Sequence, residues 1–416
     1  MLRRLPALVR LCLLLPCVAS AAEPVGDAAS EAERIARGRY LAIAGNCASC
    51  HTARDGAFLA GGLPFETPFG TLYSTNITPD PETGIGRWSE ADFLASMRHG
   101  IRPNGEHLYP AFPYTAFTKV TDQDAAALFA YLRSVPAVRR ENPENALSFP
   151  FGFRPLLAVW KALFFEPGVF APDAERSEAW NRGAYLVEAL GHCSACHSPR
   201  NGLGAEEAER AYAGGEYLDH VATGAHRPWA APNLTGSERG LGLWSEDDLF
   251  AYLKTARNDF LESFGPMNEV VMNSTRLLSP EDVRAMALYL KSLPAIDEPA
   301  PAALPDRQLL GRGRTIYNLH CGTCHLPTGK GDPEMAPRLD RGSLVVQAAN
   351  PASMINAILY GPEPPEPPLA PRWRHPMEAY RHELDDEEVA AVATFVRHSW
   401  GNAAGTVTAE QVARQR

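Results

Sequence analysis

Three copies of one pentapeptide hold the residues best suited to chemistry: Cys47-Ala48-Ser49-Cys50-His51, Cys193-Ser194-Ala195-Cys196-His197 and Cys321-Gly322-Thr323-Cys324-His325. Cysteines three apart lie on one face of a helical turn, so both thiols can reach the two vinyl groups of one porphyrin. The histidine that follows can then meet the iron from one side as proximal ligand. This C-x-x-C-H pattern is the attachment signature of c-type haem. One copy could be accidental; three, each in a matching context, are a strong signal. The expected cofactors are three covalent haem c groups and their iron, bonded through Cys47 and Cys50, Cys193 and Cys196, and Cys321 and Cys324. His51, His197 and His325 are the expected proximal ligands.

The chain holds eight cysteines, and six of them sit in the motifs. Cys12 and Cys17 lie in an N-terminal stretch that reads as a secretion signal over residues 1–22. Arg3, Arg4 and Arg10 give it a basic start, Leu11 to Val18 an apolar run, and Ala19-Ser20-Ala21 a small-residue cleavage site. A lipidated Cys17 is the weaker alternative, because Pro16 fits that signal poorly. Cleavage leaves no cysteine for a disulfide or a catalytic thiol, as an oxidising compartment demands of a chain whose thiols are all committed. A zinc site is the bland reading of C-x-x-C, but it needs a second ligand pair that none of the motifs has.

A length of 416 residues suits two to four domains, and 45% hydrophobic residues suffice for real cores. The formal net charge of -10 argues against nucleic-acid binding. Past the signal no apolar run is long enough to span a bilayer.

The text around the motifs repeats as well. Arg37-Gly38-Arg39-Tyr40-Leu41 precedes the first motif and Arg182-Gly183-Ala184-Tyr185-Leu186 the second. Trp88-Ser89-Glu90 and Trp244-Ser245-Glu246 open helices in capping-box spacing with Asp92 and Asp248. Closing helices show apolar residues at helical spacing: Ala127, Leu128, Tyr131 and Leu132, then Val283, Met286, Ala287 and Leu290. Phe395 and its neighbours echo them in the third unit. The expected fold is all-α, three tandem cytochrome c-like domains each built around one haem. The domains span 23–148, 173–297 and 307–402. A linker at 298–306, an apolar strap at 149–172 and a polar tail at 403–416 complete the chain. The strap, Phe149 to Phe165 at its centre, reads either as packing between domains or as an interfacial or partner-docking surface.

A thioether as sixth ligand raises the haem potential and suits electron transfer. The loop before each closing helix should supply it. Unit three offers Met377. Unit two offers Met267, after a Gly-Pro turn that would present it to the iron, with Met272 as competitor. Met286 and Met354 read as core. Unit one has Phe112 at the expected place, and phenylalanine cannot bind iron. Its haem is either five-coordinate or ligated by Met97, His99 or His107, of which Met97 reads as core. Arg37, Arg182 and Arg200 read equally as haem-propionate partners and as ordinary surface charges. Asn76-Ile77-Thr78 and Asn233-Leu234-Thr235 match a glycosylation sequon too common to carry weight.

Taken together, these strings resemble the tri-haem cytochrome c subunits of bacterial membrane-bound dehydrogenases for alcohol, gluconate, sorbitol and fructose. The resemblance rests on Tyr73-Ser74-Thr75-Asn76-Ile77-Thr78-Pro79-Asp80, Leu108-Tyr109-Pro110, Trp180 to Leu186, His192 to Asn201, Ala231 to Thr235 and Ser399 to Asn402. In that family the first-unit loop reads Pro-Ala-Met-Pro-Tyr, so Phe112 departs from it, while Met267 and Met377 match. The resemblance implies a periplasmic subunit at the outer face of the cytoplasmic membrane. It would take electrons from a catalytic subunit bearing pyrroloquinoline quinone, flavin or molybdenum, and pass them to ubiquinone or a terminal oxidase.

No catalytic residue is expected, since the chain shows neither a dinucleotide-binding pattern nor a nucleophile with its base. Two other readings compete. A five-coordinate haem one could make a small-molecule enzyme acting on peroxide, or the chain could be an independent electron carrier with no fixed partner.

Overall fold

The structure, a computed structural model, describes residues 26–220, 226–297, 304–369 and 376–416. The expected secretion signal and most of the 298–306 linker lie outside the described residues. Unit one runs α1 (Gly26–Ala44), the motif helix α2 (Cys47–His51), strands β1 (Pro64–Thr67) and β2 (Gly70–Tyr73), then α3 (Glu90–His99), α4 (Tyr114–Phe117) and α5 (Asp122–Ser134). Strand β3 (Ala146–Leu147) and α6 (Leu156–Phe164) follow. Unit two repeats the order with α7 (Glu178–Tyr185), prolonged by a π turn over Leu186–Leu190, and α8 (Ser194–His197). It continues with β4 (Gly215–His220), β5 (His226–Ala231), α9 (Glu246–Thr255), α10 (Met267–Asn273) and α11 (Pro280–Lys291). Unit three holds α12 (Arg307–His320), α13 (Gly322–His325), α14 (Leu344–Gln347), α15 (Ala352–Tyr360), α16 (Asp386–Arg397) and α17 (Ala409–Ala413).

Helices dominate, but the all-α expectation is corrected by two small antiparallel sheets, β1-β2-β3 and β4-β5. Runs as short as β1 and β2 carry too little alternation to be told from loop. What holds them is local: Thr67 donates its hydroxyl to the Gly70 carbonyl at 2.7 Å, and Gly70 takes φ 118° at the turn.

The first and last long helices of each unit cross at a glycine. A methyl group on Gly38 of α1 would overlap the Ala127 carbonyl of α5. Gly183 stands in the same relation to Ala285 of α11, and Gly313 to Ala391 of α16. Only a residue without a side chain lets these backbones approach so closely. Ser89 and Ser245 start α3 and α9 as expected, each in a reciprocal capping box with Asp92 or Asp248.

Units one and two share one continuous apolar core, to which Leu41, Phe117 and Leu128 contribute from one side and Leu186, Val187 and Leu290 from the other. Polar side chains are exchanged across it. Asp124 of α5 receives Arg37 of its own unit at 2.6 Å and the Tyr185 hydroxyl of unit two at 2.6 Å. Asp282 of α11 receives Arg182 of its own unit at 2.7 Å and the Tyr40 hydroxyl of unit one at 2.6 Å. Unit three has its own core around Tyr317, Ile355, Val389 and Val392, and lends only Leu344 to the shared one. It meets unit two through main-chain groups: Ser353 bonds both the N–H and the carbonyl of Ala230 at 2.9 Å, Asn356 donates to the Pro228 carbonyl and Trp244 to that of Gly342.

Two connecting segments are more structured than their composition suggests. Residues 403–416, expected as a polar tail, fold back onto unit three: Val407 and Val412 are buried in its core, and Val407 N–H donates to the Thr394 hydroxyl at 2.9 Å. The strap turns its cations inward. Lys161 on α6 donates to the carbonyls of His99 and Gly100 at 2.6 and 2.7 Å, closing the C-terminus of α3. Trp160 donates to the Leu203 carbonyl of unit two at 3.0 Å. The outward side keeps Phe149, Phe153, Val159 and Leu163 exposed.

Candidate haem centres

Each motif forms one helical turn, α2, α8 or α13, that places the two thiols on one side and the histidine at its end. In units one and two the residue before the first cysteine is left-handed, Asn46 at φ 50° and His192 at φ 38°. That kink separates the motif turn from the long helix before it. Burial pushes the Cys47 thiol up to about 11 and those of Cys50, Cys193 and Cys321 up to about 12.

The three histidines are held identically. His51 Nδ1 bonds the Thr75 carbonyl at 2.7 Å, His197 Nδ1 the Pro232 carbonyl at 2.8 Å and His325 Nδ1 the Pro337 carbonyl at 2.9 Å. A carbonyl only accepts, so Nδ1 carries the proton and Nε2 keeps its lone pair for a metal. Burial lowers the pKa of all three rings and favours this neutral form. The Nδ1 acceptors escaped sequence reasoning, yet a signal was available. Asn76 and Asn233, the asparagines of the two discounted sequons, follow Thr75 and Pro232 directly. Each caps the N–H two residues on and donates to a carbonyl beyond the closing helix, Val138 or Ile296. These Asx turns fix the carbonyls that fix the histidines.

The distal loops of units one and two are in register. α3 and α9 both end on a left-handed cap, Gly100 at φ 58° and Ala256 at φ 63°. The cap carbonyl then accepts from Leu108 N–H at 2.8 Å in one unit and from Ser263 N–H at 2.7 Å in the other. Counting onward from Leu108 and Ser263 brings Phe112 level with Met267. Met267 is the first residue of α10 rather than part of an open turn, and it is half-buried against the shared core. Met272 lies further along the same helix. Met377 is half-buried in the loop before α16, its carbonyl against Gly361. Met97, Met286 and Met354 are buried in the cores.

The arginines do not wait for propionates. Arg37 and Arg182 hold Asp124 and Asp282, and Arg200 donates to the Ala195 and Gly204 carbonyls at 2.7 Å. Two other donors are left over. The Tyr114 hydroxyl, just past Phe112, and the Trp229 indole N–H are buried without a hydrogen-bond partner among the described residues. The Trp229 ring lies against Gly265, two residues before Met267. Orphaned donors beside both distal loops, thiol pairs on single turns and imidazoles presenting Nε2 together fit haem c.

Comparison with known proteins agrees. Cytochrome c matches residues 35–136, 181–294 and 310–400, one segment around each motif. The gluconate 2-dehydrogenase cytochrome c subunit of Pantoea cypripedii is 41% identical over 92% of this chain and 89% of its own length. The cytochrome c subunit of the quinone-type alcohol dehydrogenase of Gluconacetobacter polyoxogenes is 39% identical over 97% and 87%. A nicotinate dehydrogenase component of Pseudomonas putida is 43% identical over 90% of this chain, which spans only 31% of that longer protein. The three matched segments account for three covalent haem c groups with their iron. With this sequence, this fold and these relatives, the chain belongs to the cytochrome c family, among the cytochrome c subunits of bacterial dehydrogenases.

Proposed function

We propose that the chain carries electrons, one at a time, from a dehydrogenase catalytic subunit through three domains of one haem each to a membrane acceptor. Bound haem supplies one-electron exchange at iron; the chain bonds, orients and insulates it. Cys47, Cys50, Cys193, Cys196, Cys321 and Cys324 attach the porphyrins, and His51, His197 and His325 bind iron through Nε2. Met267 and Met377 are the sixth ligands of haems two and three. The observation that carries this reading is the threefold repeat of a motif histidine whose Nδ1 is pinned to a carbonyl. Motifs one and two also lie close together, with Cys47 and Cys193 packed on the same apolar core, as short electron steps require.

The catalytic subunit bears pyrroloquinoline quinone, flavin or molybdenum, and the acceptor is ubiquinone or a terminal oxidase at the periplasmic face of the membrane. No helix among the described residues is long and apolar enough to cross a bilayer. The strap suits a lipid surface instead. From Leu147 to Phe165 the chain has no acidic residue, its two cations turn inward, and Phe149 is 94% exposed.

The test is gentle detergent extraction of membranes, followed by addition of substrate to the isolated complex. A large catalytic chain that co-elutes and reduces the cytochrome supports the reading; a cytochrome that elutes alone refutes it. Val159→Asp with Leu163→Asp should release the intact complex from membranes. If the catalytic chain is lost instead, the strap binds protein and not lipid.

A further inference from the structure

The distal register points to a ligand site at haem one. It rests on the haem assignment above and goes beyond it. Phe112 stands where Met267 stands in unit two, fixed by the same cap and the same main-chain hydrogen bond. Phe112 offers iron no lone pair. It is also held in place: its ring lies 5.3 Å from that of Phe117, which packs edge-on at 5.4 Å against His192, the residue before Cys193.

The replacements that the sequence offers are each committed elsewhere, and the ring of His192, beside Phe117, is held by hydrogen bonds to the Gly45 backbone and to its own. Met97 is 5% exposed, within the apolar core with Phe93 and Phe129. His99 ends α3 on the exposed side, its carbonyl taken by Lys161. His107 is tied at three points: its backbone pairs with Ile101, its carbonyl accepts from Arg154 at 2.9 Å, and its Nδ1 lies 3.0 Å from the Lys161 ammonium. An ammonium can only donate, so Nδ1 accepts and the proton sits on Nε2. Neither ring nitrogen then keeps a free lone pair for iron.

We propose that haem one has no side chain as sixth ligand and is the one haem of the three that takes up a small exogenous ligand. The chemical class is a neutral π-acceptor such as carbon monoxide on the ferrous iron, or a compact anion such as cyanide on the ferric iron. Haems two and three, closed by Met267 and Met377, exclude it under the same conditions.

The test uses the purified full chain, with its haem content counted first by pyridine haemochrome. Fewer than three haems would refute the haem assignment itself, separately from this inference. With three present, the dithionite-reduced protein is titrated with carbon monoxide and its Soret band followed. Uptake of one carbon monoxide per three haems is expected, with a high-spin ferric signal of matching size. Phe112→Met should abolish both, while His99→Ala and His107→Ala should leave both unchanged. A wild-type protein that binds none overturns the proposal, as does a Phe112→Met protein that still binds one. If Phe112→Met does not mature, the wild-type stoichiometry and high-spin fraction decide alone.

Discussion

Units one and two are bound to each other differently from the way unit three is bound to them. Between one and two the apolar core is continuous, and each unit lends a tyrosine to a carboxylate of the other, buried Asp124 or half-buried Asp282. Between two and three the contact is chiefly hydrogen bonds to main-chain groups, with the Arg341–Glu238 ion pair, a small alanine cluster of Ala230, Ala348 and Ala352, and one side chain, Leu344, reaching the shared core. One position separates the two arrangements. Three residues after the arginine that recurs in every unit stands Tyr40 in unit one, Tyr185 in unit two and Thr315 in unit three. Thr315 donates its hydroxyl within its own helix, and Arg312 pairs with exposed Glu387 at 2.9 Å. The pair of units is therefore one folding body carrying two haem motifs, and unit three is a second body docked on it.

The sharpest way to break this comparison is at the crossing glycines. Gly38→Ala or Gly183→Ala forces a methyl group into a carbonyl and should cost on the order of 4 kcal/mol. Because the core is shared, either change should deplete haems one and two together, whereas Gly313→Ala should deplete haem three alone. Peptide mapping of haem-bearing fragments reads this out, and selective loss of haem one in Gly38→Ala would show that the core is not shared.

A smaller effect is expected at the exchanged carboxylates. Asp124→Ala leaves the buried Tyr185 hydroxyl with one partner fewer and should cost about 2–3 kcal/mol. Asp282 adds a pH dependence. Burial pushes its carboxyl up, but hydrogen bonds from Arg182 and Tyr40 outweigh this and hold it below the usual carboxylate range. A depressed folded value means the unfolded chain takes the proton first. The stabilisation is thus complete above about pH 4 and is lost as pH falls through the folded value. Tyr40→Phe should move the acid midpoint of the fused pair upward and leave that of unit three unchanged, as measured by separate aromatic and haem signals.

The smallest effect belongs to the docked unit. Ser353→Ala removes two hydrogen bonds to Ala230 and should cost about 1 kcal/mol. Limited proteolysis should cut between units two and three faster, with no change at the junction of one and two. Equal acceleration at both junctions would erase the distinction.

Much of this was legible in the residues. The motif turns, the capping boxes of Ser89 and Ser245 and the apolar faces of α5 and α11 follow from local spacing, which helices express directly. The exchanged carboxylates were not legible, because Asp124 and Tyr185 meet only through tertiary structure. Arg37 and Arg182 therefore looked free for propionates. The histidine-orienting carbonyls were hidden for another reason: backbone groups have no letter in a sequence, and the repeated Asn-x-Thr marks the place beside only two of the three, Thr75 and Pro232. The short strands and the folding back of residues 403–416 depend on partners far along the chain. Phe112 was visible in the sequence as the exception at the methionine's place, and the shared backbone register sets it level with Met267.

Intact-mass spectrometry of the purified chain, followed by peptide mapping, tests the central claim most directly. The account requires three haems, one bonded through each of the pairs Cys47 and Cys50, Cys193 and Cys196, and Cys321 and Cys324. A mass equal to bare polypeptide, or any of these pairs recovered as free thiols in the mature protein, would contradict it.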